Sequence, residues 1–224
     1  WVAPTVGLAQ QALDLTPLRA DQITTIPLAL DDSWFLTPRD GQARARWGWP
    51  EEVPLVGLFG RLDPLKGQTE LLHALAVTPN LHAWFIGEST VNAGRDHGHA
   101  LRELATTLGI ADRVRFDPPS EDLLSAYDAL DAYAMCSASE TFGMVTLEAL
   151  ARGVFVVGTR SGGTPELLEG ARGTALYAPG NPAELAGILG KVAARERRWS
   201  RNLAQHTRKH ATAAWNDLLL QLAP

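Results

Sequence analysis

Cysteine is almost absent from this chain of 224 residues, which contains only Cys136. One cysteine cannot form an internal disulfide, so nothing demands an oxidising compartment. Long apolar runs are also missing: no stretch approaches the roughly 18 apolar residues of a membrane span, and no signal peptide is evident. A net charge of −5 with mixed signs offers no broad basic surface to nucleic acid. We expect a cytoplasmic protein without nucleic-acid partners or a transmembrane segment; peripheral attachment to a membrane stays open.

Two common nucleotide-binding motifs are missing as well. The sequence has no Gly-x-x-x-x-Gly-Lys-Ser/Thr, the phosphate loop of nucleotide hydrolases, and no Gly-x-Gly-x-x-Gly, the dinucleotide fingerprint. Glu88, which follows an apolar run, would have suited a ribose in a dinucleotide-binding protein. A nicotinamide oxidoreductase therefore remains only as a rival hypothesis.

Apolar residues make up 46% of the chain, enough to build a core. They fall into short, nearly continuous runs, which are typical of strands buried on both faces of a parallel sheet. The six runs are 55–60, 81–87, 114–116, 132–136, 154–158 and 175–178. The segments between them have helical periodicity at 68–77, 99–108, 121–130, 144–152, 165–168 and 182–198. This alternation predicts an α/β fold with a doubly wound, Rossmann-like, six-stranded parallel sheet.

The sequence predicts three regions with different roles. Residues 1–50 are punctuated by prolines and are expected to form a lead-in or interdomain segment. Residues 51–200 are expected to form the Rossmann-like domain. Residues 201–224 are expected to form a helical tail whose apolar face needs a partner, either this sheet or a missing domain. The chain begins at Trp1 without an initiator methionine, which we interpret as a fragment.

Cationic residues follow the first predicted strand, at the end where ligands bind in such sheets. Gly60 and Arg61 are followed by Lys66 and Gly67. Arg61 could bind two oxygens of a diphosphate while Lys66 adds a compact charge. An exposed loop in which Arg61 pairs with Asp63 is an equally acceptable interpretation, so both stay open here.

The segment after the fourth predicted strand carries two carboxylates, Glu140 before a helix and Glu148 one turn inside it. The free amides and positive dipole end of that helix suit a phosphate, and Gly143 lets the backbone come close to an anion. The simpler alternative makes Glu140 an acid that favours the helix dipole and Glu148 part of a solvated face. Glu148 fits that alternative poorly, because its neighbours in sequence are apolar.

The pattern Ser-x-x-Glu-x-Phe-Gly-x-x-x-x-Glu-Ala, from 137 to 149, resembles the Glu-x7-Glu motif of the group 1 retaining glycosyltransferases. The turn from Gly60 to Gly67 resembles the phosphate-binding turn of that family, and segments 112–116 and 161–166 match further motifs in the same order. The likeness covers about residues 20 to 195. It implies the GT-B fold, of which this chain would be the donor-binding half, with an N-terminal domain missing.

The resemblance also implies roles for individual residues. Glu140 would contact the hydroxyls of the donor sugar, and Glu148 would hold the ribose hydroxyls. Arg61 and Lys66 would grip the diphosphate. The remaining donor-binding residues implied are Gly60, Phe142, Gly143, Met144 and Val145 for the phosphates, and Asp117 and Pro118 for the base. Residues 88–90 and 117–119 lack the glycines usual in the family, which leaves the base unassigned.

The function predicted from the sequence is the transfer of a sugar from a nucleoside-diphosphate sugar, with retention of configuration. The acceptor would be a sugar, a lipid or a small molecule. No metal and no cofactor beyond the donor are expected, since Asp-x-Asp, typical of the metal-dependent glycosyltransferase fold, is absent. The 224 residues alone are expected to bind nucleotide without transferring sugar. The main alternative is a catalytically inactive module that binds nucleotide sugars.

Overall fold

Six parallel strands form the central sheet of the computed structural model, which describes residues 1–92, 95–192, 199 and 202–222. All six match the apolar runs of the sequence, so the predicted α/β sheet is confirmed. The strands, including four short ones outside this sheet, are β1 Val2–Ala3, β2 Thr24–Thr25, β3 Leu55–Phe59, β4 His82–Ile86, β5 Val91–Asn92, β6 Arg95–Asp96, β7 Val114–Asp117, β8 Ala132–Met135, β9 Phe155–Thr159 and β10 Thr174–Tyr177.

Ten α-helices occur in the described part of the chain. They are α1 Val6–Leu15, α2 Ser33–Leu36, α3 Ala43–Arg46, α4 Gln68–Ala76, α5 His97–Thr107, α6 Leu123–Asp128, α7 Met144–Ala151, α8 Thr164–Leu168, α9 Pro182–Leu189 and α10 Arg208–Leu222. Helix α9 ends at Leu189, before the predicted 198, and Gly190 is its carboxyl cap with a φ of −61°. Residues 193–198 lie outside the described residues.

The order of the main sheet is β10-β9-β8-β3-β4-β7, with every neighbouring pair parallel. Successive residues of a strand face opposite sides, and both sides are covered. In β3, Val56 and Leu58 pack on the side of α4, α5 and α9, whereas Leu55 and Phe59 pack on the side of α6 and α7. Burial on both faces explains why the strands appear as continuous apolar runs.

Residues 1–50 contain more regular structure than their proline pattern indicated. Strands β1 and β2 pair in parallel, and Thr5 caps α1 by accepting a hydrogen bond from the backbone of Leu8 at 3.1 Å. Both carboxylate oxygens of Glu166 accept from the first turn of α1, at 2.8 Å from the nitrogen of Val6 and 2.6 Å from that of Gly7. This contact ties the first residues of the chain to α8, the helix that follows β9.

Buried ion pairs stabilise the side of the domain at the amino ends of the strands. Arg44 pairs with Asp131 at 2.5 Å, and Arg152 pairs with Asp128 at 2.7 Å. Arg44 also donates to the carbonyls of Ala129, Pro50, Glu51 and Val53. Because buried charges need partners, these contacts hold residues 43–53 in a single position beneath the sheet.

Candidate functional site

The strand order places a crevice between β3 and β8. From β3 the chain proceeds to β4 and β7 on one side, whereas β8 leads to β9 and β10 on the other. In open parallel sheets this point of divergence, at the carboxyl ends of the strands, is where ligands bind. The turn of residues 60–67 follows β3 there, and residues 137–143, which we call the carboxylate loop, follow β8.

Lys66 and Glu140 meet in this crevice although they lie 74 residues apart. The ammonium of Lys66 is 2.8 Å from Oε2 of Glu140, and the two side chains are only 28% and 14% exposed. Gly67 makes the approach possible: it has a φ of 69°, and a Cβ there would lie 2.2 Å from the carbonyl oxygen of Cys136. A cation and a carboxylate assigned to different parts of a donor are thus neighbours.

Arg61 follows β3 in the same turn as Lys66, is exposed, and lines a cavity that also contains Glu148. Among the described side chains Arg61 makes no direct ion pair with Asp63, although its charge, after the hydrogen bond from Leu65, contributes to lowering the pKa of that carboxyl. Asp63 instead accepts a hydrogen bond from the backbone of Leu65 at 3.0 Å and lies 3.2 Å from the hydroxyl of Thr90. Gln68 fixes the backbone by donating to the carbonyl of Arg61 at 2.7 Å. The guanidinium is therefore available to a ligand at the mouth of the crevice.

A second loop, after β9, holds the carboxylate loop in place. The backbone nitrogen of Gly163 donates to the carbonyl of Glu140 at 2.7 Å. Gly162 has a φ of 58°, and a Cβ at this position would lie 2.2 Å from that same oxygen. Only glycine fits such a contact without strain. The paired glycines, seen in the sequence as part of a family motif, position Glu140.

The amino end of α7 points into the same region. Gly143 precedes the helix, and its carbonyl accepts from the backbones of Thr146 and Leu147 at 2.9 and 3.1 Å. No side chain of the described residues caps this end, so the amides of Met144 and Val145 remain the natural donors for an anion. The phosphate position predicted from the sequence has donors of the required kind.

The ring of Phe142 is part of the packed interior of the domain. The ring is buried with Leu30 and Leu147 and contacts His206 edge to face, with centroids 5.7 Å apart. His206 is itself buried and in this position is part of the packing. Among the described residues, no group of three or more His, Cys, Asp or Glu has metal-binding geometry.

Glu148 lies in a cavity of about 270 Å³ at the carboxyl ends of β3 and β4. Its Oε2 accepts a hydrogen bond from the hydroxyl of Tyr127 at 2.9 Å. Burial raises the pKa of Glu148, and the bond from Tyr127 lowers it in part. A solvated face is therefore the wrong description of this carboxylate. Its cavity is lined by Phe59, Gly60, Arg61, Ile86, Gly87, Glu88, Pro119, Ser120, Leu123, Val145 and Glu148.

The residues expected at the base, Asp117 and Pro118, precede two residues that line this cavity. The carboxylate of Asp117 is held by Trp84, whose Nε1 donates at 2.7 Å, and by Nε of Arg115 at 2.9 Å. Pro118 is exposed, and the next two residues, Pro119 and Ser120, line the cavity. The side chain of Asp117 is thus already engaged, and its carbonyl accepts a hydrogen bond from the backbone of Gly87 at 3.0 Å. Pro119 and Ser120 are the residues of this loop that face the cavity.

Sequence reasoning missed Tyr127, because a tyrosine in a helical segment between buried strands has the pattern of an ordinary core residue. It also missed the lining residues Pro119, Ser120 and Leu123, which reach the cavity only because the segment from β7 to α6 returns to the carboxyl ends of β3 and β4.

The tail helix α10 exposes Trp215, Leu219 and Leu220. None of the described helices combines the length and the apolar character needed to cross a membrane.

Comparison with known proteins supplies the family. The family model described as glycosyl transferases group 1 matches residues 40–211. A D-inositol 3-phosphate glycosyltransferase of Thermomonospora curvata is 34% identical, over 99% of this chain and 56% of that relative. One of Mycobacteroides abscessus is 34% identical, over 96% of this chain and 52% of that relative. The chain spans about half the length of the curated relatives it matches.

Solved structures agree with this relationship. The Anabaena protein Alr3699/HepE in complex with UDP-glucose superimposes with a TM-score of 0.85 and 25% identity, over 98% of this chain and 63% of that one. Sucrose-phosphate synthase of Thermosynechococcus elongatus has a TM-score of 0.80 and 25% identity, over 99% of this chain and 57% of that one. Since the family model spans most of the sequence and the fold is that of GT-B glycosyltransferases, the protein belongs to the group 1 glycosyltransferases.

Proposed function

We propose that this chain binds a nucleoside-diphosphate sugar at the crevice between β3 and β8, and that the protein transfers the sugar with retention of configuration. The observation that carries the proposal is the meeting of Lys66 and Glu140 at 2.8 Å beside the uncapped end of α7. A donor of this class presents an anionic diphosphate next to a ring of hydroxyls. Cations and a carboxylate side by side suit both halves of such a ligand.

Each part of the site has a task in this proposal. Lys66, Arg61 and the amides of Met144 and Val145 stabilise the charge that grows on the departing diphosphate. Removal of one such preorganised donor typically costs about 3 kcal/mol of barrier. Glu140 accepts hydrogen bonds from the sugar hydroxyls beside the reacting carbon. Because protein cations neutralise the leaving group, we expect no metal and no cofactor.

Glu148 and its cavity receive the nucleoside. The carboxylate accepts hydrogen bonds from the ribose hydroxyls, and the backbone near Asp117 and Pro118 borders the base. UDP and UDP-glucose are bound in the Anabaena structures that resemble this chain, so uridine is the first base to test. The relatives act on D-inositol 3-phosphate by name, which makes inositol phosphate the first acceptor to test. We expect a second domain, outside these 224 residues, to supply the acceptor site.

The rival proposal is an inactive module that binds nucleotide sugars. The pairing of Lys66 with Glu140 suits donor binding under either proposal, so the two differ in turnover and not in the groups of the site. Sugar transfer by the protein with its second domain separates them, and the variant Glu140→Ala then tests the role of the carboxylate. Catalysis requires a large loss of turnover, whereas surviving turnover with unchanged donor affinity would remove Glu140 from the reaction. The anomeric configuration of the product, read by NMR, decides retention.

Donor binding is tested on the 224 residues themselves. Thermal denaturation is followed with UDP-, GDP- and ADP-sugars and with NAD. A ligand at 100 times its Kd adds about 2.7 kcal/mol of stability, which corresponds to a rise in Tm of roughly 5 to 10 °C in a domain of this size. Lys66→Met should abolish the shift, and Lys209→Met, at an exposed lysine of α10, should retain it. A shift with NAD alone would favour the oxidoreductase.

A further inference from the structure

Glu148 has to present its carboxylate in one orientation if it is to accept hydrogen bonds from two adjacent ribose hydroxyls. A glutamate side chain has three rotatable bonds, and fixing such a side chain costs conformational entropy that has to be offset by contacts. Helix α7 fixes only the backbone of Glu148. Something else must hold the carboxylate at the wall of the cavity.

Tyr127 of α6 supplies that contact. Its side chain is fully buried, and its hydroxyl is 2.9 Å from Oε2 of Glu148 and 3.1 Å from the carbonyl oxygen of Val145. A phenol has one proton, and donation to an ionised carboxylate gives the stronger bond. The hydroxyl leaves the second carboxylate oxygen, and a lone pair on the first, for a ligand.

The ring of Tyr127 is itself held on three sides. Its centroid lies 4.9 Å from that of Phe59, 5.5 Å from that of Tyr133 and 5.7 Å from that of Trp34. These contacts come from β3, β8 and the segment before the sheet, so the hydroxyl is fixed by the core. A rigid donor is what an oriented acceptor requires.

We propose that Tyr127 is a positioning residue that orients the carboxylate of Glu148 for the ribose of the donor. This role rests on the proposed function, because it presumes that a nucleoside diphosphate occupies the cavity. Tyr127 thus joins the residues proposed for donor binding, although it contacts neither the sugar nor the phosphates. The matched control is Tyr133, a second fully buried tyrosine of the same aromatic group, whose hydroxyl donates to the carbonyl of Phe59 at 3.1 Å.

A dependence on pH accompanies this geometry. The ionisable groups around Glu148 are the two tyrosines, Tyr127 and Tyr133, and the Arg61 and Glu88 side chains that line the same cavity. Burial raises the pKa of Glu148, and the hydroxyl of Tyr127 opposes that rise. Removing the hydroxyl therefore raises the pKa further. The ribose hydroxyls need the ionised carboxylate of Glu148 as acceptor. As the pH falls, Tyr127→Phe should therefore lose nucleotide affinity at a higher pH than the wild-type chain does.

The experiment is calorimetric titration of the 224-residue chain with UDP, GDP and ADP, and then with the 2′,3′-dideoxy form of the best ligand. Tyr127→Phe should weaken the ribonucleotide about tenfold, the usual scale for a hydrogen bond to a charged group. It should leave the dideoxy nucleotide unchanged and move the acid-side midpoint upward. Tyr133→Phe should lower thermal stability while both affinities and the midpoint stay as in wild type.

Other results would overturn the role. If Tyr127→Phe binds the ribonucleotide as wild type does, or weakens both nucleotides equally, the hydroxyl does not act through the ribose. The double variant Glu148→Gln with Tyr127→Phe gives an independent test. Added to Glu148→Gln, the change Tyr127→Phe should lower the ribonucleotide affinity less than twofold. A full tenfold loss there would contradict coupling between the two side chains. Absence of any nucleoside-diphosphate binding by wild type would instead overturn the proposed function, and this role with it.

Discussion

The variant Glu140→Gln should bind UDP more tightly than the wild-type chain does. Without ligand, the ammonium of Lys66 lies 2.8 Å from Glu140, in a contact that leaves the two side chains 28% and 14% exposed. A diphosphate entering the crevice has to share that ammonium with the carboxylate and to approach a fixed negative charge. Replacing the carboxylate by an amide of the same shape removes both obstacles.

The size of the effect follows from the exposure of the pair. Exposed ion pairs contribute about 0 to 1 kcal/mol, and hydrogen bonds to charged groups contribute about 1.5 to 3 kcal/mol. The Lys66–Glu140 contact is mostly withdrawn from solvent but stays at the rim of the crevice. We therefore expect about 1 kcal/mol, or roughly a fivefold gain in UDP affinity. UDP-glucose should gain less, because its sugar hydroxyls lose an ionised acceptor.

Isothermal titration calorimetry of both ligands measures the two effects together. The ratio of the Kd for UDP-glucose to the Kd for UDP should rise in Glu140→Gln. Glu103→Gln, which makes the same change of charge on the exposed surface of α5, serves as control and should leave both Kd values unchanged. UDP binding that is equal to or weaker than wild type would show that Lys66 is not held back by Glu140, and the assignment of Lys66 to the diphosphate would lose its basis.

Three further predictions concern stability and the loops. Asp131→Ala leaves its arginine partner buried without a counter-charge, so urea denaturation should show a loss of about 3 to 5 kcal/mol in the free energy of unfolding. Glu148→Gln should raise the Tm at pH 7 by roughly 1 to 3 °C while weakening nucleotide binding. Burial raises the pKa of Glu148, so ionisation of this carboxyl destabilises the wild-type fold as pH rises. The difference in Tm between variant and wild type should therefore vanish near pH 4. Gly162→Ala places a Cβ against the carbonyl of Glu140 and should weaken the binding of UDP-glucose about tenfold or more in calorimetry. The control is Gly170→Ala, at a glycine with a φ of 73° and open space around it, which should lower the thermal stability without changing the affinity.

Much of the fold could be predicted from the sequence because its signals are local. Continuous apolar runs identified all six strands of the main sheet, since a strand buried on both faces needs apolar residues at successive positions. The loops after β3 and β8 were recognisable from the same pattern and from the spacing of Glu140 and Glu148. The end of α9 at Leu189 was missed, because the helical periodicity of the sequence continues beyond this residue.

Only the tertiary structure decided which groups meet, because contacts between distant segments leave no trace in periodicity. Lys66 and Glu140 were assigned to separate parts of a ligand, and the fold pairs them across 74 residues. Arg61 could equally have paired with Asp63 until the backbone of Leu65 and the hydroxyl of Thr90 were found around that carboxylate. The link between Tyr127 and Glu148 likewise depends on how α6 packs against α7. The sequence by itself determined the strands and the residues of the crevice, whereas side-chain packing decided how those residues are oriented and paired.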